Sequence, residues 1–435
     1  MTNKKKAIAL LASAAAASLA LSACSGEEEE GAAVAEEGED VVIEFMHLWP
    51  EGSSKAHYDV VNDIIAEYEE ANEGVTVDLE VLSNEQYKDK LRVLSTSGDL
   101  PDVGMTWAAG FLTPYVDGNL FASLDDVATE LEDEFVPGTV DAYRVDETAY
   151  GLPLELNIAT IFYNTAIFEE YGVEPPETYE ELLAAVEAFN EAGVPPIALG
   201  NKDAWTGSLW YMYLADRIAG PEALTQAISG EGDFTDPAFV EAAAKIQELV
   251  EADAFVNGFN GLADEEAKSM FMSGQSPMYL IGSWDLPNYT TNEDVPQEFR
   301  DSIEYMTFPL VEGEGDANSF VGGPGVGLFV AEESDVKEEA KDFVAYFIQE
   351  WGEQAVERAG VIPATKVDAA SLDLPQMYID ILGELSEASN ITLFADVQMS
   401  PEDAQVHLDS IQALFGGEIT PEEFAEAHAE AIAQE

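Results

Sequence analysis

Five tryptophans, Trp49, Trp107, Trp205, Trp210 and Trp284, fall at strand ends, in loops or at a helix start rather than within a buried stripe. Trp351 sits inside a long amphipathic helix and reads as core. A single indole is ordinarily a packing residue. A set grouped where strands terminate has another use. An indole face covers an apolar C–H surface, such as one side of a sugar ring, while neighbouring carboxylates and amides bond its hydroxyls. The polar partners at hand are Glu51 near Trp49, Asp285 after Trp284, and the pair Glu155 and Asn157. That pair interrupts the apolar run Leu154-Glu155-Leu156-Asn157-Ile158 at a spacing of two, which puts both side chains on one face of a strand. Buried there, they require partners. His47 is the histidine placed where a cleft would lie; His57, His407 and His428 read as helix-surface residues.

Other chemistries fit less well. Paired carboxylates can hydrolyse glycosides, but with 87 acidic residues coincidental pairs arise everywhere, and nothing isolates a catalytic one. No Gly-x-Ser-x-Gly elbow precedes a helix. The run Gly322-Gly323-Pro324-Gly325-Val326-Gly327 has no Lys-Ser/Thr after it, and Pro324 removes a donor, so it does not cradle phosphate. Its glycines suit a hinge or a close backbone approach, with Gly323 near the ligand. Neither a calcium loop, a zinc spacing nor a dinucleotide fingerprint occurs. The expectation is a binding protein without cofactor, metal or catalytic residue.

The elements that must position these residues alternate. Val41–Trp49 reads as a strand, Val61, Ile64, Ile65 and Tyr68 as a helix face, and Val75–Val81 as a second strand. Ser83 with Gln86 and Thr178 with Glu181 form capping boxes, and Ser400-Pro401 and Thr420-Pro421 open helices. A short strand precedes Trp107, a buried strand spans Met278–Gly282, and a Gly-rich strand spans Phe320–Phe329. Strands alternating with helices predict parallel βαβ units, with ligands at the carboxyl ends of strands.

At 435 residues the chain exceeds one ordinary core. It opens with Lys4, Lys5 and Lys6, then an apolar run to Leu21 that is short for a membrane span. Leu21-Ser22-Ala23-Cys24 resembles the lipobox of bacterial lipoproteins, which implies cleavage before Cys24 and its acylation. Cys24 is the single cysteine, so no intrachain disulfide forms. Residues 24–40, rich in Glu, Gly and Ala, read as a solvated acidic tether after a signal peptide at 1–23. The formal net charge is −70, from 17 Lys plus Arg against 87 Asp plus Glu. Such a chain repels nucleic acid and suits salt-rich surroundings, where self-repulsion is screened.

Four ordered stretches carry a family resemblance: Leu100-Pro101-Asp102-Val103 before Trp107; Gly151-Leu152-Pro153 leading to Tyr163-Asn164; Met272–Met278 leading to Gly282-Ser283-Trp284; and Gly322-Gly323 leading to Lys341, Phe343, Phe347 and Gly360-Val361-Ile362-Pro363-Ala364. The sequence resembles family 1 of the extracellular solute-binding proteins of carbohydrate ABC importers, similar in fold to maltose-binding protein. The resemblance implies a two-lobed α/β fold of the type II periplasmic-binding kind, each lobe a mostly parallel sheet flanked by helices, with a hinge between. It divides the chain into 41–155 and 322–365 for the first lobe and 156–321 and 366–435 for the second. Crossings are expected near Pro153–Leu156, Phe320–Gly323 and Pro363–Asp368.

Within the family, His47–Ser53, Asn84–Lys88 and Asn201–Ser208 look most like the multiple-sugar subgroup, whose ligands are raffinose-type α-galactosides and isomalto-oligosaccharides, with xylo-oligosaccharide binders as relatives. By position, Trp49, Glu51, Trp107, Glu155, Asn157, Trp205, Trp210, Trp284 and Asp285 would face the sugar. A Phe-x-Asp-His cluster of some relatives reads Phe394-Ala395-Asp396-Val397 here, placing Phe394 and Asp396 at the ligand without the histidine. The implied partners are an oligosaccharide and the permease subunits of an importer, with the protein a monomer on the outer face of the membrane, held there by its lipid alone.

Overall fold

The structure is a computed structural model that describes residues 40–311, 315–368 and 372–433. The signal segment, Cys24 and the acidic tether up to residue 39 lie outside the described residues. In chain order the strands are β1 (Val41–His47), β2 (Val75–Val81), β3 (Val103–Thr106), β4 (Arg144–Val145), β5 (Thr148–Ala149), β6 (Leu152–Pro153) and β7 (Leu156–Asn164). They continue with β8 (Ile197–Ala198), β9 (Met278–Gly282), β10 (Ile303–Met306), β11 (Ser319–Pro324), β12 (Gly327–Val330) and β13 (Asn390–Thr392).

Two sheets define two lobes. The first has order β2-β1-β3-β12-β6, with β1 parallel to β2 and β3, and β12 antiparallel to β3 and β6. The second has order β13-β11-β7-β9-β8, with β10 also on β7. Here the expectation of a mostly parallel sheet fails. The long strand β7 is antiparallel to β9, β10 and β11, and only the outer pairs β8–β9 and β11–β13 are parallel. A strand that enters from the other lobe need not follow the βαβ crossover rule that the alternation suggested.

Local sequence accounts for the helices that bear the site. In Lys55–Ala71 the buried residues His57, Val60, Val61, Ile64, Ile65 and Tyr68 repeat at helical spacing and pack on the first sheet. Asn84–Ser97 and Tyr179–Ala192 open on the expected capping boxes and end at Gly98 and Gly193 in the left-handed region. Ser400 and Thr420 cap the last two helices, each followed by proline. Trp351 is core, stacked on Trp49 with centroids 4.7 Å apart and planes 3° apart.

The lobes join where three chain segments meet. Leu154 N–H donates to the Val326 carbonyl at 2.9 Å, Gly325 N–H to the Glu155 carbonyl at 2.8 Å, and Leu156 N–H to the Ile362 carbonyl at 2.9 Å. The first crossing lies between β6 and β7. The second is displaced: Gly322, Gly323 and Pro324 still pair with β7 in the second sheet, and the chain passes over only at Gly325–Val326. The Gly-rich stretch read as one strand is therefore two, one in each lobe. The third crossing runs past Pro363, which bridges to Glu155.

Candidate functional site

A cavity of about 180 Å³ lies between the lobes, at the carboxyl ends of β1, β3 and β9 and the start of β7. The first lobe contributes Trp49, His57, Lys88 and Trp107 to its wall; the second contributes Ser208, Trp205, Lys268 and Trp284.

The aromatics stand on both sides. Trp107 follows β3, edge-on to Phe111 at 4.9 Å, and Lys88 Nζ sits 4.9 Å from its ring centroid. Opposite, Trp205 and Trp284 meet at 6.1 Å, and Trp284 is edge-on to Phe394 at 5.7 Å. A Cβ at Gly282 would overlap the Trp284 ring at 2.0 Å, so the absence of a side chain there lets the indole fold back beside the strand end. Trp107, Trp205 and Trp284 are each only partly buried, as a stacking platform requires, while Phe394 is buried.

The floor is polar and buried. Asn157 Nδ2 is 3.5 Å from Glu155 Oε2, and Ser283 Oγ donates to Asn157 Oδ1 at 3.0 Å. His57 Nε2 faces Glu155 Oε1 at 3.2 Å, and both side chains are nearly inaccessible. Gly325 allows this floor, since a Cβ would stand 2.4 Å from Asn157 Nδ2. On the second-lobe wall Asp285 is held by Tyr289 Oη at 2.6 Å, by Asn288 Nδ2 at 2.9 Å and by Lys268. Lys268 also reaches the Ser53 carbonyl of the first lobe at 3.5 Å. Asp264 accepts from Tyr279 Oη at 2.5 Å. Burial pushes its carboxyl up to about 7, with Tyr279 and Lys268 opposing and Asp285 adding to the rise. Asp396 is likewise raised by burial, against the pull of Lys88 across the gap.

Of the residues expected to face a ligand, Trp49, Trp107, Glu155, Asn157, Trp205, Trp284, Asp285, Phe394 and Asp396 line this cavity. Four do not. His47 is fully buried in the first lobe, where its Nδ1 accepts from Trp49 N–H at 3.2 Å. Burial, with help from neighbouring His57, pushes its pKa down to about 3. Glu51 is exposed on the loop outside. Trp210 is fully buried in the second lobe against Phe255 and Phe308, with centroids 5.6 and 5.5 Å away. Gly323 lines a separate apolar cavity of about 620 Å³ with Thr365 and Leu393.

Sequence reasoning missed other wall residues. His57 was expected on a helix surface but is buried and faces Glu155, and its place in the Val60–Val61–Ile64 register could have shown it. Ser208, Leu209 and Met212 share a helical face with Trp205 and line the cavity with it. Lys88 follows Asn84 by one turn, and Lys268 follows Asp264. His407 and His428, also expected on the surface, are buried. Among the described residues no group of His, Cys, Asp and Glu is placed to hold a metal ion, and no helix is long and apolar enough to cross a membrane.

Comparison with known proteins agrees with this architecture. A solved structure from work on xylan utilisation by Caldanaerobius polysaccharolyticus is 30% identical, with a TM-score of 0.84 over 90% of this chain and 99% of that one. The multiple sugar-binding protein of Streptococcus mutans is 24% identical over 295 residues, 65% of this chain and 66% of that protein. An uncharacterised ABC transporter extracellular-binding protein of Pyrococcus horikoshii is 23% identical over 284 residues, 63% of this chain and 62% of its own length. The chain thus spans just under two thirds of these two relatives. Residues 52–351 match the profile described as bacterial extracellular solute-binding protein, and the chain belongs to that family.

Proposed function

We propose that this protein captures an uncharged oligosaccharide between its lobes and hands it to the permease of an ABC importer, tethered as a monomer to the outer face of the membrane through acylated Cys24. One observation carries the reading: Trp107 from one lobe and Trp205, Trp284 and Phe394 from the other wall a single cavity whose floor is the Glu155–Asn157 pair. Rings on both sides suit the two faces of a sugar chain, and the amide and carboxylates suit its hydroxyls. Ligand touching both lobes favours the closed form through contacts the open form lacks, so no covalent step is needed.

Two sugar classes are supported by different observations. Likeness to the structure from xylan utilisation favours a xylo-oligosaccharide. The loops around Trp49 and Trp205 favour a raffinose-type α-galactoside or an isomalto-oligosaccharide. Calorimetric titration with xylotriose, raffinose, isomaltotriose and maltotriose tests both. Binding of one sugar without release of shorter products supports the receptor reading. Release of shorter sugars favours a hydrolase built on the paired carboxylates, and binding of none ends the oligosaccharide reading.

A further inference from the structure

We infer that Ser208 presents an acceptor-only hydroxyl to the cavity, its proton committed to a buried chain of two histidines, and so selects a ligand hydroxyl or amide N–H at that point. The inference rests on the cavity being the ligand site.

Ser208 lies near the start of the helix Trp205–Ala219 and lines the cavity. Behind it runs a chain of short contacts: Ser208 Oγ to His407 Nε2 at 2.6 Å, His407 Nδ1 to His428 Nε2 at 2.8 Å, and His428 Nδ1 to the Phe424 carbonyl at 2.8 Å. The last contact sets the direction of all the others. A carbonyl oxygen only accepts, so His428 Nδ1 carries the proton. In a neutral ring the other nitrogen is then bare, so His428 Nε2 accepts and His407 Nδ1 donates. His407 Nε2 is bare in turn, and the Ser208 hydroxyl must donate to it. Only its lone pairs remain for a ligand.

The argument needs neutral rings, and the surroundings keep them so. His407 and His428 are fully or nearly buried among Tyr211, Phe234 and Phe424. Burial holds His407 well below its ordinary pKa, and the adjacent His428 adds to this. Burial pushes His428 down to about 4, although the Phe424 carbonyl and the Asp403 carboxylate raise it. The Tyr211 hydroxyl, buried on the Ser208 helix, is held neutral by the same burial. With the chain's direction fixed, a ligand oxygen without a hydrogen meets a lone pair at Ser208, and a ligand hydroxyl or N–H meets an acceptor.

Long-range ¹⁵N-histidine NMR of the full chain, which has four histidines, reads the tautomers with no ligand present. Both His407 and His428 are expected as Nδ1–H; either ring found as Nε2–H overturns the inference. Calorimetry with xylotriose, raffinose, isomaltotriose and maltotriose then compares the parent with Ser208→Ala and His428→Phe. Loss of one charge-neutral hydrogen bond predicts affinity about three- to tenfold weaker in Ser208→Ala. Parent-like affinity in that variant overturns the ligand contact. In His428→Phe, His407 is freed to take the other tautomer, and a new Nε2–H signal supports the chain. Failure of the parent to bind any of the four sugars overturns the sugar reading alone, since the tautomers decide the hydroxyl's direction without ligand.

Discussion

His57 Nε2 and Glu155 Oε1 face one another at 3.2 Å, yet neither atom has a hydrogen-bond partner, the contact included. The imidazole belongs to a first-lobe helix and the carboxylate to the first crossing, at the point where the backbone of Glu155 also holds Gly325. Both side chains are nearly inaccessible, so removing one leaves the other facing a void at the cavity floor. His57→Ala removes an imidazole packed against Trp49 and Trp351 and should lower unfolding stability by about 0.5–3 kcal/mol. Urea unfolding measures it, and a variant as stable as the parent shows that the pair contributes nothing.

The tryptophans separate into two classes with opposite readouts. Trp107→Ala and Trp284→Ala remove exposed stacking surface and should weaken sugar binding by about 1–3 kcal/mol, with unfolding little changed. Trp210→Ala instead empties a core position and should cost about 3–5 kcal/mol of stability. Parallel calorimetry and urea titrations distinguish them. Near-parent sugar affinity in both cleft variants would remove these indoles from the site.

Why Trp210 was misassigned is a matter of period. Residues 205, 208, 209 and 212 follow the 3.6-residue repeat and line the cavity. Trp210 stands five positions from Trp205, well round the helix, so an aromatic run near a helix start did not identify its own face. Strand ends were easier to read: Trp107 and Trp284 lie directly beyond β3 and β9, where alternation stops. Capping boxes are local, and Thr178 with Glu181 formed as read. The direction of β7 was not legible, because its partners β9, β10 and β11 come from 114 or more residues later, and pairing over that distance leaves no local pattern. The three lysines of the wall, Lys55, Lys88 and Lys268, were hidden for another reason. In so acidic a chain nothing in their neighbourhood marks them as different from solvated helix residues.

Acid stability should depend on the buried histidine chain. The pKa of His428 falls from its ordinary 6.5 to about 4 on folding, so the unfolded chain binds the extra proton in between. The stability it contributes is complete above 6.5 and is lost as pH falls toward 4, by about 3 kcal/mol. Asp264 acts in the opposite sense: raised to about 7, it holds a proton in the folded state that the unfolded chain releases above 3.8. Its contribution turns unfavourable as pH rises toward 7. Urea titrations of the parent, His428→Phe and Asp264→Asn across pH 4–8 resolve the two. The gap between parent and His428→Phe should narrow toward pH 4, and Asp264→Asn should gain on the parent toward pH 8. A pH-independent gap for either variant would show that its group does not titrate as the fold predicts.

Salt should affect folding and binding differently. With 87 acidic side chains against 17 Lys and Arg, compaction brings like charges together, and added ions shorten their reach from about 10 Å at 0.1 M to about 3 Å at 1 M. The melting temperature should therefore rise between low and molar sodium chloride, and rise less in sucrose, which favours burial without screening charge. An uncharged ligand gains nothing from that screening. The lysines of the cavity wall are also paired locally, Lys268 with Asp285, Lys88 beside Glu85 and Lys55 with Asp59, so they attract no distant charge. Sugar affinity, measured where the protein is fully folded at both salt concentrations, should stay flat. Affinity that falls steeply with salt would mean that the ligand is a cation drawn in by the acidic surface, and the stacking account of the cleft would fail with it.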